Sequence, residues 1–134
     1  FNANLTLIDQ TGSGAAPAVA VGVAPVTYNI TGYYERGGLS VRLSTTFQRG
    51  SVSSDVNQNG IGLARLYSDD YQQFDMTASV DFAELFDLKW APQLTLDVIN
   101  LTKEKQRSYF QFENSAFTLY EPGRQVMIGL RGRF

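Results

Sequence analysis
Neither cysteine nor histidine occurs in this chain of 134 residues. The first absence removes disulfides, thiolate nucleophiles and zinc–thiolate centres. The second removes the commonest metal ligand and general base, and excludes serine–histidine catalysis within the chain. Long apolar runs are also missing, since none approaches the roughly 18 to 20 residues a membrane-spanning helix needs. Charge of one sign does not accumulate: 11 basic and 13 acidic residues are interspersed, for a net charge of −2. There is no basic stripe for nucleic acid and no polybasic cluster for an anionic lipid surface. Charged residues make up only 18% of the chain and aromatics 13%, which argues against disorder. Hydropathy alone therefore suggests a soluble protein, but β-barrel strands alternate in polarity and give a much weaker signal per segment.

What the chain does have is alternation. Val26, Tyr28, Ile30, Gly32 and Tyr34 alternate with Thr27, Asn29, Thr31, Tyr33 and Glu35. Arg36-Gly37-Gly38 then supplies a tight turn, and Leu39, Val41, Leu43, Thr45 and Phe47 line one face of the returning run. This predicts a β-hairpin. A third strand places Phe74, Met76, Ala78, Val80 and Phe82 on one face, and a fourth places Leu94, Leu96 and Val98. The last carries Val126, Ile128, Leu130, Gly132 and Phe134 against Gln125, Met127, Gly129, Arg131 and Arg133. A weaker strand is expected over residues 3–8. Residues 1–25 thus read as a weak strand and a flexible loop, and residues 26–134 as five strands.

The connections alternate as regularly as the side chains. Those at residues 9–25, 50–70 and 103–120 are long, while Gly37-Gly38 and residues 84–92 are short. Long loops on one rim and short turns on the other describe an all-β, antiparallel, up-and-down transmembrane barrel wall. Glu35, Arg42, Asp75, Asp81, Asp97, Arg131 and Arg133 all fall on the polar parity, as a lipid-facing surface requires. Phe82, Phe86, Trp90, Phe134 and Tyr34 gather near the short-turn rim; Phe47, Tyr71 and Tyr120 lie near the other. Two such aromatic belts suit the two membrane interfaces. A soluble β-sandwich with one wet sheet face shows the same alternation, so periodicity alone leaves both readings open.

The final third is more specific. Asn100-Leu101-Thr102, an aromatic-rich loop, Tyr120-Glu121-Pro122-Gly123-Arg124-Gln125 and a strand ending Gly129-Leu130-Arg131-Gly132-Arg133-Phe134 resemble the carboxy-terminal end of TonB-dependent outer-membrane receptors. In that family an Asn-Leu motif closes the penultimate strand, and a Pro-Gly-Arg element opens the last. The hairpin with Tyr33-Tyr34-Glu35-Arg36-Gly37-Gly38-Leu39 resembles the family's preceding hairpins. Lys103 departs from the acidic or amide residue often found there. The resemblance implies the last five or six strands of a barrel of about 22, which cannot close that perimeter alone. A fragment, or one chain of a split receptor, is the expectation, with the plug domain and energy-coupling box elsewhere.

The resemblance further implies a bacterial outer-membrane location and uptake of a scarce nutrient (iron chelate, cobalamin, saccharide or peptide). The implied partners are outer-membrane lipid, the remaining barrel and plug, TonB acting through the plug, and the barrel-assembly machinery. Ile128, Leu130 and the terminal Phe134 would form the signal that machinery reads. A passive porin-like barrel and a soluble β-sandwich binding module are the alternatives.

Other motifs weigh less. Asp55-Val56-Asn57-Gln58-Asn59-Gly60 matches the first half of a calcium loop, but Leu66 stands where a bidentate Glu belongs. Three Asn-X-Thr matches, at Asn4, Asn29 and Asn100, read as incidental in a bacterial protein. No catalytic constellation, cofactor site or metal site is expected. Tyr109, Phe110 and Phe112 are the candidate ligand contacts, in a loop also carrying Phe117 and Tyr120. Their alternative role is to pack that loop and extend a girdle.

Overall fold
A computed structural model describes residues 2–10, 20–54 and 65–132. Its elements are β1 (Asn2–Leu7), β2 (Val26–Arg36), β3 (Leu39–Gln48), β4 (Val52–Ser54), β5 (Leu66–Ser68), β6 (Tyr71–Asp81), α1 (Phe82–Phe86), β7 (Gln93–Ile99), β8 (Gln106–Phe110), β9 (Ala116–Tyr120) and β10 (Gln125–Arg131). The fold is all-β and antiparallel. A six-stranded sheet runs β1-β2-β3-β6-β7-β10, and a four-stranded sheet runs β4-β5-β8-β9. The large sheet is an up-and-down meander; β1 and β10 form its two margins and do not pair with each other.

Register converts the alternation of each strand into two continuous faces. Leu5 sits opposite Tyr28, Tyr28 opposite Phe47, Leu43 opposite Met76, Met76 opposite Val98 and Val98 opposite Val126. One sheet face is therefore apolar from margin to margin, because side chains of period two stay on one side when partners are directly opposed. The other face carries Glu35, Arg42, Asp75, Asp81, Asp97 and Arg131. Ser40 and Ser79 share a hydrogen bond there at 2.7 Å, and Thr46 donates to Asn29 at 2.9 Å.

Among the described residues, no further layer covers either face. Among the described residues, only Ala24, Val52, Leu66 and Val98 are buried apolar side chains. Ile128 is 75% exposed and Leu130 73%. Full burial of each such side chain is worth about 1.5 to 3 kcal/mol, and in this chain alone that stabilisation is not realised.

Three expectations need revision. Residues 103–120 are not an irregular aromatic loop but the β8–β9 hairpin, and part of the 50–70 connection is β4 and β5. These segments extend the hairpins of the large sheet, where short strands pair with each other instead of looping over it. The third strand stops at Asp81 instead of reaching Phe82, because the Asp81 carboxylate accepts from the N–H groups of Ala83 (2.9 Å) and Glu84 (3.3 Å). That cap opens the five-residue α1, which ends at Asp87 in the left-handed region. The short connection is thus a helical turn. The Asp55–Gly60 calcium-like motif, Arg133 and Phe134 lie outside the described residues.

The β2–β3 turn shows why a particular residue is needed. Gly38 has φ +78, and a Cβ there would lie 2.6 Å from the Asp81 carbonyl oxygen. The Asp81 N–H donates to the Gly38 carbonyl at 2.7 Å. The turn and the end of β6 are in backbone contact, leaving no room for a side chain.

Candidate functional site
The site lies where the two sheets meet, at the end of the large sheet bearing the long connections. Two bends create this junction. In the first, the β3–β6 ladder breaks and resumes as β4–β5. The Gly50 N–H donates to the Asp70 carboxylate at 2.7 Å, and a Cβ on Gly50 would lie 2.5 Å from the Ser68 carbonyl oxygen. In the second, the β7–β10 ladder breaks and resumes as β8–β9.

Asn100 builds the second bend. It is only 2% exposed and holds φ +56, a left-handed conformation that Asn tolerates better than most residues. Its backbone N–H donates to the Asp75 carboxylate at 2.9 Å. Its side-chain amide donates to the carbonyls of Glu104 (3.0 Å) and Gly123 (2.9 Å), and its Oδ1 accepts from the Glu104 N–H at 2.7 Å. The Arg124 guanidinium donates to the Leu101 carbonyl, and the Leu101 N–H donates to the Phe74 carbonyl at 2.7 Å. The Asn100-Leu101 and Pro122-Gly123-Arg124 elements, separated in sequence, thus interlock in space.

A chain of polar contacts runs from this bend along β6. The Tyr71 hydroxyl donates to Gln73 Oε1 at 2.5 Å, and Gln73 Nε2 donates to both Asp75 carboxylate oxygens at 2.8 and 3.0 Å. Asp75 in turn holds the backbone of Asn100. This chain fixes Tyr71 at the lip of an open groove of about 370 Å³.

The groove continues the polar face of the large sheet. Gln48 and Tyr71, directly opposed, enter it from β3 and β6. Ser68 is opposed to Ser108, and Ser108 to Thr118, while Gln106 is opposed to Tyr120; all five line the groove. Asp69 and Arg107 line it too but are joined in an ion pair at 2.9 Å. The Arg107 guanidinium also donates to the Glu113 carbonyl and lies 5.5 Å from the centroid of the Tyr109 ring. Its charge is therefore committed to holding β8 against the β5–β6 bend.

The candidate contacts Tyr109, Phe110 and Phe112 do not converge. Tyr109 and Phe110 are consecutive on β8 and point to opposite faces of the small sheet. Tyr109 stacks on Tyr67, its register partner, at 5.3 Å between centroids. Burial, followed by the Glu113 and Asp69 carboxylates, holds the Tyr109 hydroxyl above the ordinary phenol range, so this ring stays neutral at physiological pH. Phe110 packs edge-on against Phe117 at 4.7 Å. Phe112, in the turn, is 67% exposed. Packing accounts for the first two, and Phe112 stands alone at the tip. Ile128 and Leu130 are exposed on the apolar face of the β10 margin.

Sequence reasoning missed Gln106, Ser108 and Thr118. Alternating β-formers around Asn114-Ser115 were the available signal, but five residues of alternation are weak evidence inside a long connection. Among the described residues, no group of three or more acidic side chains is placed to hold a metal ion. Against this geometry, comparison with protein-family models, curated proteins and solved structures finds no match to the chain.

Proposed function
We propose that the chain forms carboxy-terminal wall strands of a TonB-dependent outer-membrane receptor that takes up a scarce nutrient, and that it has no enzymatic role. One observation carries this reading: an apolar face continuous over six strands, uncovered by the described residues. Charge reaches that parity only at the β2–β3 turn, as Arg36. Lipid is the natural cover for such a face, since an Arg or Lys directed into the bilayer midplane costs about 2 to 4 kcal/mol.

Dimensions agree. β2 and β6 have 11 residues and β3 has 10. At about 3.3 Å per residue these strands extend roughly 33 to 36 Å, and a tilt of about 45° reduces their vertical reach to about 25 Å, the height of a barrel's apolar band. Phe86 and Trp90, 63% and 75% exposed, lie at the short-turn end, where amphipathic rings meet headgroups. The Asn100-Leu101 and Pro122-Gly123-Arg124 elements supply the family resemblance. On this reading the polar face lines the lumen and the small sheet projects from the extracellular mouth. Energy would arrive from TonB through a plug outside this chain.

The test uses the intact receptor expressed in a Gram-negative host. Its outer-membrane fraction should retain the protein through a urea wash, and nutrient accumulation should cease in a strain without TonB. Release by urea would refute the membrane reading. Retention with undiminished uptake would favour a passive barrel.

A further inference from the structure
We propose that the groove at the sheet junction is a subsite for a neutral polyhydroxylated ligand, a saccharide, and not for an anionic metal chelate. The inference rests on the receptor reading above and narrows its substrate class.

The first argument is charge. A strongly anionic chelate needs an available cation, and among the described residues the lining offers none. Arg107 is the lining's cation, and it is neutralised by Asp69 at 2.9 Å and occupied by the Glu113 carbonyl. Among the described residues, Asp70 leaves the lining with one more acidic than basic side chain, although its Oδ1 accepts from the Gly50 N–H. An anion entering here would meet repulsion and no pairing partner.

The second argument is the chemistry of the other groups. Gln48 and Gln106 each present a donor and an acceptor, and Ser108 and Thr118 present hydroxyls that serve as either. Such ambivalent groups match sugar hydroxyls, which also donate and accept. Tyr71 and Tyr120 add aromatic surface, and Tyr120 is 60% exposed, leaving its ring open to a sugar's C–H face. The groove volume of about 370 Å³ is at the small end for ligand sites, which run from about 300 to 1,000 Å³. It suits part of a small oligosaccharide.

The third argument is preorganisation. Cross-strand pairing sets the spacing of these groups, and the Gln73–Asp75–Asn100 chain anchors Tyr71. A rigid array loses less entropy on binding than mobile side chains do.

Calorimetry on the purified intact receptor tests the proposal. The probes are maltotriose, cellotriose, xylotriose and chitotriose, with a ferric tricatecholate as the anionic comparison. Assembly of every variant is checked by its urea-resistant outer-membrane location, so failure of the barrel reading is seen separately from failure of the subsite. At least one neutral trisaccharide should bind, weakening tenfold or more in Tyr120→Ala and in Gln106→Ala, with Phe112→Ala unchanged. Three results overturn the proposal in an assembled receptor: binding of the ferric chelate alone, no binding of any trisaccharide, or saccharide binding indifferent to both Tyr120→Ala and Gln106→Ala.

Discussion

At the residue scale, Asn100 does several things that no other side chain could combine. Its φ of +56 disfavours most residues, and its amide satisfies carbonyls on two different segments. Ala would keep the strained backbone and leave buried carbonyls without donors. Asp would keep an acceptor for the Glu104 N–H but present no donor to Glu104 or Gly123 and face the Asp75 carboxylate. Asn100→Ala should cost about 2 to 4 kcal/mol, combining left-handed strain with unsatisfied polar groups. The expected outcome is a lower urea midpoint for the refolded protein and faster proteolysis at the β8–β9 hairpin. A midpoint unchanged within error would remove Asn100 from the centre of the bend. The exposed Lys105–Glu121 pair, at 2.6 Å, sits close by but contributes little, because solvent-exposed ion pairs contribute about 0 to 1 kcal/mol.

At the scale of elements, the finding with most consequence is that the two long connections pair with each other. β5 and β8 are the joint. The Asp69 N–H donates to the Arg107 carbonyl at 2.9 Å and the Gln111 N–H to the Arg65 carbonyl at 3.0 Å. These bonds flank the Ser68–Ser108 and Leu66–Phe110 pairs, making them the narrow, non-hydrogen-bonded type with Cα atoms about 4.5 Å apart. Such a spacing lies within disulfide reach. Ser68→Cys with Ser108→Cys should therefore oxidise readily, and the native absence of cysteine in this stretch makes the bond easy to detect by thiol labelling. Two thiols that stay fully reactive under mild oxidation would mean the hairpins do not meet in the assembled protein.

The whole molecule depends on which face meets which solvent. Leu43 and Ser44 are neighbours on β3, one on the apolar face and one on the polar face, both near the middle of the strand. Leu43→Arg should reduce the assembled outer-membrane population severely, by the cost of about 2 to 4 kcal/mol for a cation facing lipid. Ser44→Arg, opposite Asp75, should assemble near the native level. Equal tolerance of the two changes would contradict a lipid-facing sheet, and a reversed pattern would mean the faces are exchanged. The open margins at β1 and β10 belong to the same scale, because an unpaired strand edge needs a partner strand to satisfy its backbone. In the proposed receptor, the rest of the barrel provides it.

The strand pattern was legible in the residues because a period of two is written into composition. Val26 to Phe47 alternates so regularly that β2, the Gly37-Gly38 turn and β3 could be placed almost to the residue. The polar parity of Glu35 and Arg42 followed from the same rule. The end of β6 was not legible: Asp81 looks like another polar strand position, and only the nearby Ala83 and Glu84 N–H groups turn it into a cap. Nor was the small sheet, since strands of three to five residues gain stability from their partners more than from their own sequence. The aromatic candidates were chosen by composition, which cannot tell that Tyr109 is held by Tyr67 and Phe110 by Phe117.

By itself, then, the sequence determined the all-β class, the long strands, the tight turn and the separation of apolar from charged faces, all of them consequences of local periodicity and of glycine's freedom at φ +78. Tertiary structure alone decided that Asn100 meets Gly123, that Asp69 neutralises Arg107, and that Gln106, Tyr120 and Tyr71 share one groove. These contacts join residues 14 to 49 positions apart. Chain-local preferences carry no information about such pairs until register fixes which strands lie side by side.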